Sequence, residues 1–231
     1  MASVSQTASS SSGVNGTSFT FSALSVGARV AGDVLYVLVG SRCDSSAPSA
    51  TVTIDGVSAG LAIQNAWNEA GNIYSYAGIF SLKRSALPDP TQTDVDVVVS
   101  FGATTMLRCG VGLGKSSDAS DTASVTKAND PTIAGNLNAN VSAGDVVVGV
   151  VFQGAADTMT WTGLTEATDT VIESGTFSTA YESNVSAATP RSMDVVPDVT
   201  SDLSSAVVAV FPPAPATKKR VFHLHRQKRA A

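Results

Sequence analysis

Histidine is absent from the first 222 residues of this 231-residue chain; both histidines, His223 and His225, sit near its C-terminus. The bulk of the chain therefore has no imidazole to activate a serine or cysteine nucleophile or to bind zinc. Glutamate occurs only four times (Glu69, Glu166, Glu173, Glu182), and lysine is also sparse. Long helices draw on these straight-chain residues for their exposed faces, so the shortage argues against a helical protein. There are two cysteines, Cys43 and Cys109, in dissimilar contexts. They read as free thiols of a chain made in a reducing cytoplasm, with a disulfide as the lesser alternative. Apolar runs such as residues 34–39 are strand-length, far below the roughly 20 residues of a membrane helix. The N-terminus, Met-Ala-Ser-Val-Ser-Gln-Thr-Ala, has neither a basic start nor an apolar stretch, so no targeting segment and no membrane contact are expected.

The parts of familiar catalytic and cofactor sites are missing too. Gly110-Val-Gly-Leu-Gly-Lys115 has closely spaced glycines but runs into a Ser/Asp stretch rather than a helix, which is wrong for a phosphate loop. Asp is plentiful but mostly sits beside Gly, Ser or Pro, where turn formation explains it, and the four glutamates show no spacing that suggests a glycosidase pair. Asp44, Asp118 and Asp121 lack a calcium-loop pattern, and His223-x-His225 has no third ligand nearby. No catalytic residue, cofactor or metal is expected.

What the sequence does have is strand-forming residues and turns. Apolar residues make up 43% and charged residues 14%, enough for a core under a surface of Ser, Thr, Asn and Gly. The chain also resembles itself. Ala31-Gly-Asp-Val-Leu-Tyr-Val-Leu-Val-Gly40 returns as Ala143-Gly-Asp-Val-Val-Val-Gly-Val-Val-Phe152. Thr51-Val-Thr-Ile-Asp-Gly-Val-Ser58 returns as Thr158-Met-Thr-Trp-Thr-Gly-Leu-Thr165, and residues 73–77 return as 176–180. Each half closes on a pair of strands, 95–101 with 105–111 and 192–196 with 205–211. Ten to twelve short strands between polar turns are expected. The fold class expected is all-β: a two-sheet, jelly-roll-like sandwich built from an internal duplication, with an extended basic C-terminal tail. The boundaries are a loose N-terminal segment 1–14, a sandwich 15–213 (halves 15–115 and 132–213, polar linker 116–131), and a Pro spacer with tail, 214–231.

Two candidate binding surfaces stand out. Residues 218–231 carry six of the fourteen Lys and Arg and no acid, so the tail is +6 and the rest −11 (8 basic minus 19 acidic). In Lys218-Lys-Arg-Val-Phe-His-Leu-His-Arg-Gln-Lys-Arg229 the centre alternates, as a strand added to a partner's sheet edge does. Its expected partner-binding residues are Lys218, Lys219, Arg220, Phe222, Leu224, Arg226, Lys228 and Arg229. Nucleic acid is the secondary partner for such an arm; six charges on single-stranded phosphates imply a log–log salt slope of about −4. The second surface is aromatic. Trp67 in a polar loop, with Tyr74 and Tyr76 on one strand face, is a candidate glycan platform, whereas Trp161 stands where the repeat has Ile54 and is assigned to the core.

The repeat motifs, with Tyr76-Ala-Gly-Ile-Phe, Met106-Leu-Arg-Cys-Gly-Val and the closing Ala206-Val-Val-Ala-Val-Phe-Pro-Pro, resemble β-sandwich virion structural proteins of tailed bacteriophages, prophages and gene transfer agents. The resemblance covers residues 15–213. It departs at Thr160-Trp-Thr-Gly, where such sequences often have Pro-x-Gly-Trp, and it leaves out the tail. It implies a virion component assembled in the bacterial cytoplasm: a capsid decoration, spike or fibre, or tail-associated protein. The expected partners are other virion proteins of capsid or tail, with homo-oligomer contacts, and docking is expected through the basic tail. The alternative is a carbohydrate-binding module for host-surface glycan.

Overall fold

The computed structural model describes residues 2–30, 32–128, 137–198 and 204–215. Among them are eighteen strands, one short 3-10 turn (Arg84–Ala86) and no α-helix, as the shortage of straight-chain residues predicts. The first half contains β1 (Ser3–Ser12), β2 (Ser18–Ser25), β3 (Val34–Cys43), β4 (Thr51–Ile54), β5 (Val57–Ser58), β6 (Gly60–Ala70), β7 (Ile73–Lys83), β8 (Asp94–Ser100) and β9 (Met106–Ser117). The second contains β10 (Val125–Ala128), β11 (Ala139–Val141), β12 (Val146–Gln153), β13 (Met159–Thr162), β14 (Thr165–Ile172), β15 (Gly175–Glu182), β16 (Ala188–Arg191), β17 (Asp194–Pro197) and β18 (Ser204–Phe211).

Each half has a five-stranded antiparallel sheet, ordered β1-β9-β3-β7-β6 in the first and β10-β18-β12-β15-β14 in the second. These orders match strand for strand. The smaller sheets match as well: β2-β8-β4-β5 in the first half, and β11-β16 with β13-β17 in the second, where β16 and β17 together stand for β8. All five segment pairs read as repeats fall on equivalent strands. The Gly-Asp turns agree in detail. Gly32 and Gly144 have φ of +82° and +88°, a region that glycine enters without strain. The following aspartates fold back three residues, the Val30 N–H donating to Asp33 Oδ2 at 2.8 Å and the Ser142 N–H to Asp145 Oδ2 at 2.7 Å.

The all-β sandwich is thus the observed class, but it has four layers rather than two. Side-chain alternation explains why. On β3, Leu35, Val37 and Val39 pack toward the small sheet of their own half, while Val34, Tyr36 and Leu38 point at the other half. On β12, Val147 and Val151 face their own small sheet, and Val146, Val148, Val150 and Phe152 face the first half. Continuous apolar runs are what strands buried on both faces require. Fully burying one such side chain contributes about 1.5–3 kcal/mol. The five-stranded sheets stack with β1 beside β14 and β15, and β6 beside β10 and β18. Because β1 is the counterpart of β10 and β6 of β14, the halves meet about an approximate two-fold axis, as in an isologous dimer.

Two expected boundaries move. The segment 1–14 is not loose: Ser3–Ser12 forms β1, running antiparallel to β9 from Ser3↔Ser117 to Ser12↔Cys109. The linker 116–131 is also partly sheet, since β9 extends to Ser117 and Val125–Ala128 pairs with β18. Both strands lie at sheet edges, where short polar side chains are tolerated because only one side is paired.

Candidate functional site

The glycines of β9 determine how closely the halves approach. Val111 and Leu113 point into the first core, so Gly110, Gly112 and Gly114 form the opposite face. That face meets Phe177, Thr179 and Tyr181, which alternate along β15 with the same period. A Cβ on Gly110 would lie 2.6 Å from the Phe177 ring, one on Gly112 2.9 Å from Thr179 Cγ2, and one on Gly114 2.5 Å from the Tyr181 ring. Strand glycines often mark places where another part of the chain comes close. The run read as an unlikely phosphate loop is therefore a packing face.

Where the stacked sheets end, two grooves open along their edges. The larger, of about 580 Å³, runs between β1 and β14 and is lined by residues 4–9, 165–167 and 181–183. Its counterpart across the approximate two-fold, between β6 and β10, holds about 310 Å³. In both walls of the larger groove the register slips by one residue, at Thr7 on β1 and Ala167 on β14. Such bulges bend an edge strand and locally leave backbone unpaired. Polar bonds tie the walls together at the base: the Thr179 hydroxyl donates to Gln6 Oε1 at 2.6 Å, Gln6 Nε2 donates to the Thr168 hydroxyl, and the Val4 N–H donates to Ser183 Oγ at 2.8 Å.

Two acidic residues border the groove, and an unpaired hydroxyl is buried in its wall. Glu166 and Glu182 line it and no Lys or Arg does. Partial desolvation by its neighbours, reinforced by the negative charges of Asp169 and Asp198, raises the carboxyl of the exposed Glu166 above its ordinary pKa. The Tyr181 hydroxyl, on a side chain 5% exposed, has no hydrogen-bond partner among the described residues. An unpaired buried hydroxyl is costly, and its burial pushes the phenol pKa upward.

The residues anticipated from sequence are spread over several environments. Lys218, Lys219, Arg220, Phe222, Leu224, Arg226, Lys228 and Arg229 lie outside the described residues. Trp67 is not in a loop but on β6, opposite Ser75 and half-buried, because β6 continues to Ala70 as the edge partner of β7. Tyr76 is fully buried, its ring edge-on to Phe101 at 5.3 Å and its hydroxyl donating to Gln64 Oε1 at 2.9 Å. Tyr74 packs half-buried against the same core. The three aromatics therefore form no exposed platform. Trp161 is buried, with its indole N–H donating to Ser178 Oγ at 2.8 Å. Cys43 and Cys109 are free and buried. Among the described residues no group of three or more His, Cys, Asp or Glu is placed to hold a metal, and no helix is long and apolar enough to cross a membrane. The groove itself was missed from sequence, since its walls lie some 160 positions apart in the chain. Comparisons of the chain with protein-family models, with curated proteins and with solved structures return no match.

Proposed function

We propose that this chain is a non-enzymatic structural protein of a phage-like particle (a capsid decoration, a spike or fibre, or a tail-associated protein), made by duplication of one jelly-roll unit and docked through its basic residues 218–231. The observation that carries this reading is the shared topology of the halves. In the first, β1-β9-β3-β7 stands against β2-β8-β4-β5, the strand order of a jelly roll, an architecture recurrent in capsid proteins. Its most conspicuous polar residues serve the scaffold: Asp33 and Asp145 close equivalent turns, and Asp55 accepts the Asp96 N–H at 2.8 Å. Fold alone does not assign a role, and the asymmetry of charge supports the one proposed. An acidic body joined to a +6 segment suits a subunit that attaches by one end and presents the other.

Co-expression with a particle tests the proposal. The full chain is expected to co-sediment with particles, and a chain truncated after Thr217 to remain in the soluble fraction. Equal incorporation of both would refute docking through the tail. Binding to single-stranded nucleic acid with a salt slope of about −4 would instead assign the tail to phosphates.

A further inference from the structure

We infer that the face between the halves pairs only unlike partners: each five-stranded sheet fits the other and rejects a copy of itself. The property belongs to the inner faces of the fold, whatever the outer surfaces serve.

Strand register identifies the equivalent positions. Gly40 and Phe152 each stand eight residues beyond the glycine of their Gly-Asp turn, from 32 to 40 and from 144 to 152. Gly40 on β3 pairs with Gly110 on β9 and Ala77 on β7, whereas Phe152 on β12 pairs with Ser205 on β18 and Phe177 on β15. One row of the first sheet thus carries Gly110, Gly40 and Ala77, and its counterpart in the second carries Ser205, Phe152 and Phe177. By the same registers Gly112 and Gly114 correspond to Val207 and Ala209, and Ile79 and Ser81 to Thr179 and Tyr181. The two rows face each other. A Cβ on Gly40 would lie 3.0 Å from the Phe152 ring, and one on Gly110 2.6 Å from the Phe177 ring. On the other flank the Ser205 hydroxyl donates at 3.0 Å to the carbonyl of Asn65, the β6 residue paired with Ala77.

A second half facing its own copy would be overpacked. Phe177, Thr179 and Tyr181 lie against Gly110, Gly112 and Gly114, where a Cβ would come within 2.6, 2.9 and 2.5 Å of them. The equivalent residues, Ser205, Val207 and Ala209, all carry that Cβ, and near the axis Phe152 would face Phe152. A packed interior takes in such atoms only by displacing rotamers or parting the sheets. A first half facing its own copy fails in the opposite way. Gly40 would face Gly40, and the β9 glycines would meet Ala77, Ile79 and Ser81. The space that Phe152, Phe177 and Tyr181 now fill would stand empty, and voids of that size destabilise. Only the mixed pair fills the space once, so it is selected both by its own fit and by the misfit of the alternatives.

Co-expression of residues 1–122 and 123–231 as separate chains tests this with both partners always present; Thr122, the junction, is exposed between β9 and β10. The first half is supplied in two versions, each with its own affinity tag. Capture by one tag should recover residues 123–231 in equal amount, and the other tag at less than about a tenth of that. Random pairing would recover the other tag at about half the amount of residues 123–231, and that result overturns the inference. So does capture of the first half without the second. Giving the first half the second half's residues, G110S/G112V/G114A, should lower capture of residues 123–231 at least about tenfold. The reciprocal change in the second half, F177A/T179I/Y181S, should restore it to within about threefold, because the altered flank then has the composition of the natural one opposite. Capture that G110S/G112V/G114A leaves unchanged, or that the reciprocal change does not restore, also overturns the inference.

Discussion

Replacing Gly110 with alanine adds one methyl group where the two halves touch. The new Cβ would lie 2.6 and 2.8 Å from atoms of the Phe177 ring and 2.9 Å from Ile172 Cδ1, against a comfortable carbon–carbon separation of about 3.5–4.0 Å. The ring has nowhere to go, because a Cβ at Gly40 would meet the same ring at 2.5 Å and the Phe177 side chain is 1% exposed. Either the ring leaves its rotamer or the sheets separate, and overpacking of this kind costs about 1–3 kcal/mol. Gly60→Ala is the control, since its nearest neighbour is at 3.6 Å, and a change within about 0.5 kcal/mol is expected. Urea unfolding reads both from the midpoint at constant m-value. Shrinking the ring should restore room, so Gly110→Ala combined with Phe177→Leu should be less damaging than the sum of the two by at least about 0.5 kcal/mol. Strict additivity, or a Gly110→Ala protein as stable as the wild type, would refute the close-packed glycine face.

Three other perturbations probe different parts of the molecule. Arg84 is 1% exposed, lies 3.4 Å from Asp33 Oδ2 and donates to the Gly27, Pro90 and Gln92 carbonyls; Arg84→Ala removes the nearer of the two cations beside the buried Asp33, leaving Lys115 at 4.0 Å, and orphans three carbonyls, so it should cost about 3 kcal/mol in chemical denaturation, a loss below 1 kcal/mol being incompatible with this account. Glu166, exposed but partly desolvated, has a raised pKa that Asp169 and Asp198 reinforce, so its ionised form weakly opposes folding at neutral pH and the penalty fades as pH falls through its folded-state pKa; Glu166→Gln should raise Tm slightly at pH 7 and the gain should shrink on acidification, whereas a pH-independent gain would point to packing instead. Burial pushes the Cys109 thiol pKa upward, and neither cysteine is solvent-exposed; a thiol reagent should label neither in the native protein and both in denaturant, and stoichiometric native labelling would contradict the described core.

How much of this could be read from sequence depends on where each residue sits in the sheets. Paired runs such as 34–39 and 146–151 were legible because strands at the centre of a sheet carry continuous apolar side chains that no turn or loop needs. The equivalence of Ile54 and Trp161 was legible too: Ile54 pairs with Val97 on β8 and Trp161 with Val195 on β17, both facing a core. Edge strands were not. Residues 3–12 contain only small or polar side chains and one valine, and nothing local distinguishes such a strand from a solvated tail. Trp67 was misplaced for a related reason, since Gln64, Asn65, Asn68 and Glu69 give edge strand β6 a loop-like composition. The glycine face of β9 did leave a trace, a period-two run of glycines complementary to the period-two run of Phe177, Thr179 and Tyr181 on β15. The groove left none, because it exists only once the halves have docked.

The approximate two-fold puts both described chain ends at one pole. Ser3 pairs with Ser117 and Ala214 bonds to Asp118, one residue further on. The connections after β3, β6, β8, β12 and β14 all gather at the opposite pole. A cargo spliced into the Ala70–Ile73 or Ile172–Gly175 turn would thus project away from anything grafted beyond Pro215. The stacked sheets between them would hold two such grafts apart, one at each pole.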